Sequence, residues 1–394
     1  MSYEESRGNS TATIVAVVWF GWFVILFDRS IIPPLLPLIG VRFRATYAEV
    51  GLLVSGYMVA YAVSQWISGD VVGRFGEKRL IVIGVFLSSI FTALIAIAGD
   101  FSQIVALRFL TGLFTGLFFV PSTLLLTMYI SPKDRGRKMG IAMTGGSIAT
   151  VIVYLSLGTL LSVLPDWSQV FLISASLAAI YSLYAQKSLL EREEEQAPED
   201  EFQLSADDQS KLINVLQSKR ILLSLLYTIF VSLASWSLST FLPSFLVAGR
   251  QLSFSTASLF MALSSAASIA GPLLSGALKD KFGAKMPMLL SSLSASLAMV
   301  LIQVSPLGLP MALILMLWGL LSGAWWLATT VLVAELSPPK LRARVLGVYN
   351  VICFMGGFIG PLISGETIDA LGFQSFFMLA LVLYLAATFV AARL

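Results

Sequence analysis

Twelve apolar segments, each about long enough to cross a bilayer, constrain the fold of this chain more than any other feature. A helix needs about 20 apolar residues to span the hydrocarbon. Such segments recur at residues 12–39, 47–69, 80–98, 102–129, 138–163 and 167–186, and again at 221–247, 254–276, 286–304, 308–334, 344–365 and 373–392. Only 12% of the residues are charged, against about 25% in soluble domains. The sequence predicts an all-α membrane protein with about twelve transmembrane helices.

A polar interruption at residues 187–220 divides these segments into two sets of six. Its first part is strongly acidic, as in Glu193, Glu194 and Glu195, and is typical of a solvated linker. We predict an N-terminal bundle at 1–186, a cytoplasmic linker at 187–220 and a C-terminal bundle at 221–394. The stretch from Leu212 to Leu216 has one apolar face and is compatible with a short interfacial helix, although a linker turn without a transport role is favoured.

The placement of basic residues predicts the orientation. Of the 25 Lys and Arg residues, only Arg42, Arg44 and Arg250 fall in loops predicted to be outside, and Arg29 and Arg108 lie within spans. The other 20 occupy inner loops and termini when the N-terminus is inside. Because basic residues accumulate on the cytoplasmic side, we predict a multi-pass protein of the cell membrane with both termini in the cytoplasm.

The two halves repeat each other at a constant spacing. Gly69 and Gly276 are 207 residues apart, each opening a short basic loop. The pairs Gly112/Gly319 and Gly116/Gly323 have the same separation. A shared offset across six spans indicates duplication, so the two bundles are expected to be pseudo-symmetric. In such folds the binding site lies near the midplane, between the halves.

The loop from Gly276 to Lys285 resembles the signature of the major facilitator superfamily. In that signature a glycine precedes an acid, a basic residue and a further glycine, and Asp280 and Lys281 stand at the acidic and basic positions. The resemblance implies the major facilitator fold, and it implies that this loop is part of an inner gate. The alternative is that its charges only set topology.

The first copy of the loop, at residues 69–79, departs from the signature. Gly73 occupies the acidic position, while Asp70 lies one helical turn earlier and Arg74 follows. At the end of the tenth span, Glu335 and Arg342 form a pattern similar to that of sugar porters. We include Asp70, Arg74, Glu335 and Arg342 with Asp280 and Lys281 as candidate gating residues; a surface ion pair at a helix end is the alternative for Glu335.

Three charged residues lie deep inside predicted spans: Asp28 and Arg29 in the first and Arg108 in the fourth. A charge near the bilayer centre is costly unless it is paired or faces a cavity. We predict that Asp28 pairs with Arg108 and that Arg29 binds substrate, since arginine holds a carboxylate or phosphate with two hydrogen bonds. A purely structural ion pair is the alternative. Asp28 is the only deep carboxylate and the chain has no histidine, so Asp28 is the candidate proton carrier.

The walls of the substrate site are harder to assign. Candidates are polar or aromatic residues within spans, and for the aromatic ones packing or lipid contact is an equal alternative. With Arg29 and Arg108, the candidate substrate-binding residues are Tyr57, Tyr61, Gln65, Tyr154, Trp326 and Asn350.

The Asp28-Arg29 pair and Arg108 before spaced glycines are similar to the anion:cation symporter family. That resemblance implies transport of organic anions. Many members carry a glutamate seven residues after the fourth-span arginine, where this chain has Thr115, so the second proton-binding acid of that pattern is absent. Lysophospholipid-exporter relatives also carry Asp-Arg in the first span.

These features predict a secondary active transporter that moves a small organic anion by proton-coupled symport and alternating access. The alternatives are a uniporter or exchanger of an organic anion or lysolipid-like amphiphile and, more remotely, a transport-dead receptor or scaffold. The sequence has no nucleotide-binding loop, metal-ligand cluster or nucleophile–base set, so we expect no enzyme activity, cofactor or metal. The expected partners are the anionic substrate, protons and the lipid bilayer, with no nucleic acid, and the protein is expected to be a monomer.

Overall fold

The computed structural model describes residues 3–189 and 206–394, and their regular structure is helical. The first half contains α1 (Tyr3–Phe43), α2 (Tyr47–Phe75), α3 (Glu77–Ile95), α4 (Phe101–Gly116), α5 (Phe119–Tyr129), α6 (Pro132–Val163) and α7 (Gln169–Ser188). The second contains α8 (Ala206–Leu216), α9 (Lys219–Ser244), α10 (Phe254–Ser268), α11 (Gly271–Phe282), α12 (Lys285–Val304), α13 (Leu309–Ser322), α14 (Ala324–Leu336) and α15 (Arg342–Arg393).

Three predicted spans are interrupted helices. The fourth consists of α4 and α5, the eighth of α10 and α11, and the tenth of α13 and α14. Gly323 separates α13 from α14, and α11 has a proline, Pro272, in its first turn, where the missing N–H would have no helical partner. The seventh span follows α9 into a π-helical turn, Phe245–Gly249, just after Pro243, whose ring removes a backbone donor.

Among the described residues, eleven helical segments are long and apolar enough to cross a membrane. The last of them, Arg344–Arg393, has 50 residues. At about 1.5 Å per residue it is more than twice as long as the hydrocarbon is thick. It is broken at Gly372, where φ is 79° and ψ is 175°, a conformation that favours glycine. The segment therefore contains two spans, and the prediction of about twelve spans is confirmed.

The described chain forms two units. One contains residues 3–45 and 52–189, and the other contains residues 46–51 and 206–394. The predicted bounds of the bundles and linker stay predictions, and the acidic run around Glu193–Glu195 lies outside the described residues. The apolar stretch from Leu212 to Leu216, for which a turn was favoured, is helical and belongs to α8.

The predicted internal repeat is visible in the packing of each unit. In the first unit, a Cβ added at Gly112 would overlap the carbonyl oxygen of Tyr57. In the second, a Cβ added at Gly319 would overlap the carbonyl oxygen of Ser264, and Tyr57 and Ser264 are again 207 residues apart. Each unit therefore has the same close approach between its second and fourth spans, which only glycine permits.

The core of the first unit is formed mainly by α1, with α3, α5 and α7 packed around it. Phe118 and Tyr181 are among its largest buried members. A Cβ at Gly21 of α1 would overlap the Phe118 ring, so this glycine lets α1 lie against the middle of the fourth span, between α4 and α5. The result is a tightly packed α1, which fixes the direction of its polar residues.

Candidate functional site

Asp28 and Arg108 form an ion pair inside the first unit. Arg108 Nη1 lies 2.7 Å from Asp28 Oδ2, and the two side chains are 2% and 6% exposed. The other carboxylate oxygen, Oδ1, accepts hydrogen bonds from Thr92 at 3.1 Å and from Ser174 at 3.4 Å. Four helices, α1, α3, α4 and α7, thus contribute to one buried cluster. The predicted pairing of Asp28 with Arg108 is present.

Arg29 lies beside this cluster but points to different partners. Its Nη2 is 3.0 Å from the sulfur of Met58 on α2. Its guanidinium carbon is 5.9 Å from the ring centre of Tyr57 and 5.7 Å from that of Tyr61. Neighbouring residues on a helix point about 100° apart, so Arg29 and Asp28 project from α1 in different directions. Arg29 is half-buried, whereas Asp28 is buried.

A pair of tyrosines on α2 contacts both arginines. The rings of Tyr57 and Tyr61 are stacked, with centres 6.0 Å apart and an angle of 12° between their planes. The Arg108 guanidinium carbon is 4.6 Å from the Tyr57 ring centre, within the range of a cation–π contact. The Tyr57 hydroxyl accepts a hydrogen bond from Thr115 at 2.9 Å. The close approach of α4 to α2 at Gly112 makes these contacts possible.

The electrostatics of the cluster are asymmetric, because two cations accompany one anion. Arg108 Nε is buried and has no hydrogen-bond partner among the described residues. The described residues also contain no group of three or more His, Cys, Asp or Glu side chains that could hold a metal ion. The cluster is therefore a membrane-embedded site with an excess of positive charge and hydrogen-bond donors.

The comparison with known families identifies the fold. The family model described as Major Facilitator Superfamily matches residues 18–353 and, in a second match, 224–394. The chain belongs to the major facilitator superfamily. It is a multi-pass membrane transporter of small molecules and not an enzyme.

Two related transporters match most of this superfamily member. The probable 4-methylmuconolactone transporter of Cupriavidus pinatubonensis is 25% identical over 342 residues, which cover 84% of this chain and 78% of that protein. The cis,cis-muconate transport protein of Acinetobacter baylyi is 24% identical over 359 residues, which cover 89% and 84%. A crystal structure of a D-xylose-proton symporter has a TM-score of 0.79 at 14% identity, with 96% of each chain covered, and shows the same fold.

Of the remaining predicted substrate residues of the transporter, Gln65 and Tyr154 belong to the first unit. Gln65 lies one turn beyond Tyr61 on α2 and has a buried Nε2 with no partner among the described residues. Tyr154 is buried on α6. Trp326 on α14 is 43% exposed, and Asn350 on α15 is half-buried; both belong to the second unit. The structure thus brings together Asp28, Arg29, Arg108, Tyr57 and Tyr61, and the roles of all these residues stay predictions.

The candidate gating residues are mostly exposed in the transporter. Asp70, Arg74, Asp280, Lys281 and Arg342 all have exposed side chains. Glu335 forms an ion pair of 2.6 Å, but its partner is Lys279, which the sequence analysis did not select. Lys279 lies two residues before Lys281 on α11, so it points to a different side of the helix. A gating role for these residues stays a prediction.

Sequence reasoning missed three residues of the charged cluster: Thr92, Ser174 and Met58. Hydroxyl residues are common in this chain's apolar spans and usually bond to their own helix, as Ser88 and Thr111 do here. A deep carboxylate needs hydrogen-bond donors, which predicts that some hydroxyls face it. The rotation of each helix, which the sequence does not give, decides which ones.

Proposed function

We propose that the chain carries a small organic anion across the cell membrane together with a proton, as a monomer with both termini in the cytoplasm. The observation that carries this proposal is the excess positive charge of the buried cluster. Arg29 and Arg108 are cations, and Asp28 is the acid that forms an ion pair with Arg108. When Asp28 is ionised, the formal charges of these three groups sum to one positive charge inside the membrane.

An anionic substrate would compensate that charge. Burying a net charge in a low-dielectric medium is costly, so closure of the transporter around its site is favoured when the sum of charges is zero. Arg29 is the candidate for direct contact because it is half-buried, whereas the Arg108 side chain is 2% exposed and paired with Asp28. The planar guanidinium of Arg29 can hold a carboxylate with two hydrogen bonds.

The tyrosine pair supports this arrangement indirectly. Tyr57 and Tyr61 are 1% and 2% exposed, so their rings face the arginines and the protein interior. A ring face attracts a cation and limits its rotamers. We therefore propose that Tyr57 and Tyr61 hold Arg29 and Arg108 in position, and that the substrate contacts the guanidinium groups more than the rings.

The proton enters through Asp28. A substrate that approaches Arg108 competes with Asp28 for the hydrogen-bond donors of the Arg108 guanidinium, which include the buried Nε. Once its ion pair is weakened, the Asp28 carboxylate would be a buried charge without its partner, which is costly in the membrane. Thr92 and Ser174 can still hydrogen-bond to Oδ1 of the protonated group. The proton would then be released when the substrate leaves and Arg108 returns to Asp28.

The charge sum links the proton to the charge of the substrate. A monoanion brings the net charge of the site to zero while Asp28 is ionised, so transport of a monoanion needs no proton. With Asp28 protonated, the two arginines carry two positive charges, and a dianion brings the site to zero. The proposal therefore favours a dicarboxylate as the substrate that is coupled to a proton. The relative from Acinetobacter baylyi is a cis,cis-muconate transport protein, and muconate is a dicarboxylate.

The test is uptake of cis,cis-muconate into proteoliposomes. Wild-type protein is expected to concentrate it when a pH gradient is imposed. Asp28→Asn should lose concentrative uptake yet retain exchange of internal for external substrate, because the amide cannot release a proton. Arg29→Lys should bind about tenfold more weakly, since the two-bond contact is lost. Ser235→Ala, a hydroxyl deletion in the second unit, is the matched control and should behave as wild type.

Three outcomes would redirect the proposal. If wild-type transport is saturable but ignores the pH gradient, the protein is a uniporter or exchanger and Asp28 is structural. If Asp28→Asn still concentrates substrate, another group carries the proton. Unchanged affinity in Arg29→Ala would remove Arg29 from the substrate site.

A further inference from the structure

A groove on the first unit is separate from the charged cluster. Its cavity volume is about 600 Å³. The floor is one face of α1, and the walls come from α6 and α7. The residues that line it are Thr11, Ala12, Val15, Ala16, Trp19, Phe20, Arg137, Lys138, Ile141 and Tyr184. The α1 residues recur at helical spacing over about 13 Å, at about 1.5 Å per residue. Two small residues, Ala12 and Ala16, leave the space that forms the groove.

The two ends of the groove differ in polarity. Trp19 Nε1 donates to Thr144 Oγ1 of α6 at 3.1 Å, and Ser30 Oγ lies 2.9 Å from Thr150 Oγ1. Because later residues of α1 contact later residues of α6, the two helices run side by side in the same direction. Arg137 and Lys138 are therefore level with Thr11 and Ala12. The other end is lined by apolar side chains, among them Val15 and Phe20. The groove is positively charged at one end and apolar along its length.

The cations are available to a ligand. Neither Arg137 nor Lys138 forms an ion pair with a described acidic residue. The acid one turn earlier on α6, Asp134, accepts a hydrogen bond from Ser131 at 3.4 Å. The side chain of Arg137 is exposed and that of Lys138 is half-buried.

The open side of the groove faces apolar surface. On α7, Tyr184 is 37% exposed, and Ile180 and Leu183 beside it are 55% and 64% exposed. On α6, Ile141 is 46% exposed. We infer that these exposed apolar side chains face lipid, because they lie on helices long enough to span the membrane. The charged end lies on the side that the distribution of basic residues predicts to be cytoplasmic. The groove therefore begins at that membrane surface and continues along the hydrocarbon.

We propose that this groove is a binding site for an anionic phospholipid of the cytoplasmic leaflet. The phosphate contacts Arg137 and Lys138, and one acyl chain lies along Ala12, Ala16 and Phe20. Basic pockets between transmembrane helices on this side suit anionic head groups. Tyrosine favours the membrane interface, as Tyr184 near the end of α7 would do here. A free phosphate would use only the charged end and leave the apolar surface exposed. The site does not depend on the proposed substrate.

The test is native mass spectrometry of the full-length protein in detergent, titrated with dioleoyl-phosphatidylglycerol or dioleoyl-phosphatidylcholine. Wild type should bind one copy of the anionic lipid more tightly than any copy of the zwitterionic lipid. R137Q/K138Q should weaken that first copy about 25-fold, about fivefold for each charge near the membrane surface. The matched control is K219Q/R220Q, which removes the same charge from the exposed first turn of α9 and should change binding less than twofold.

A second variant tests the acyl-chain part of the site without changing charge. Ala16 is exposed on the groove floor, so Ala16→Phe should fill the groove without disturbing the core and should also abolish the tight copy. The proposal is overturned if R137Q/K138Q binds the anionic lipid like wild type, if K219Q/R220Q weakens binding equally, or if Ala16→Phe has no effect. It is also overturned if millimolar inorganic phosphate displaces the lipid, because the site would then be a water-exposed anion site.

Discussion

The two units share their packing but differ in the polar groups that the packing surrounds. Gly112 and Gly319 make the same close helix approach, one to Tyr57 and the other to Ser264. At the same offset of 207, however, Asp28 corresponds to Ser235. Arg29 and Arg108 correspond in the same way to Trp236 and Leu315. The second unit is therefore neutral where the first is charged.

The second unit shows how uncharged side chains occupy the equivalent positions. In the second unit, Ser235 Oγ lies 3.0 Å from the Tyr384 hydroxyl, a neutral contact that links α9 to α15. Helices at equivalent positions therefore pack without a buried ion pair. This contrast supports the proposal that Asp28, Arg29 and Arg108 act in transport, since interior charge is costly in the membrane.

The largest expected effect comes from breaking the charged pair. Asp28→Ala should lower the free energy of unfolding by about 3–5 kcal/mol, because it leaves Arg108 buried and uncompensated. The equivalent change in the second unit, Ser235→Ala, should cost about 1 kcal/mol, the value of one neutral hydrogen bond. Denaturation of the purified proteins in one detergent would measure both.

A double variant sharpens this result. Asp28→Asn with Arg108→Gln neutralises both partners and should recover most of the stability lost in either single variant. Concentrative transport should not recover with it. Equal destabilisation by Asp28→Ala and Ser235→Ala would contradict the contrast between the units, and restored transport in the double variant would make the pair purely structural.

A smaller effect, equal in the two units, is expected at the glycines. Alanine at Gly112 or at Gly319 would place a Cβ against a backbone carbonyl that cannot move aside. Each substitution should cost about 1–3 kcal/mol, the usual range for overpacking. Thermal unfolding of the two variants should give similar shifts. If alanine destabilises the protein at only one of these two positions, the two units do not share the close helix approach.

The smallest effect concerns pH at the end of α1. Burial alone would raise the pKa of the Asp166 carboxyl, but hydrogen bonds from Ser168 and the Arg42 guanidinium outweigh it, so the pKa lies below its usual value of 3.8. A lowered pKa stabilises the fold above the pKa of the unfolded chain, and this stabilisation is lost as the pH falls through the folded pKa. In the second unit, Arg250 instead donates to the carbonyl of Gln303, which does not titrate.

The stability gap between wild type and Asp166→Asn should therefore be at most about 1 kcal/mol near pH 7, because both side chains are more than a third exposed. This stability gap should disappear below about pH 4, where carboxyl groups usually become protonated. The gap between wild type and Arg250→Gln should not close over the same range. Unfolding midpoints measured at both pH values would test this, and a gap for Asp166→Asn that is independent of pH would contradict it.

The sequence predicts the parts of this molecule that follow from membrane physics. Apolar length predicts the spans, and the cost of buried charge predicts that Asp28 and Arg108 meet. The same reasoning does not locate Thr92 or Ser174, because a hydroxyl can always satisfy itself within its own helix. It also misses the interruption near Phe118, since the residues on either side are equally apolar. The remaining contacts depend on the side of the helix that each residue occupies. Lys279, for example, pairs with Glu335, whereas Lys281, two residues later on α11, lies on a different side.

Proton uptake on substrate binding is the most direct test of the central claim, that Asp28 takes a proton when a dianion binds. The purified protein in weakly buffered detergent would be mixed with cis,cis-muconate, and the pH change would be followed with an indicator dye. We expect about one proton to be taken up per bound substrate in wild type and none in Asp28→Asn, with Ser235→Ala like wild type. Proton uptake by Asp28→Asn, or its absence in wild type that binds muconate, would contradict it.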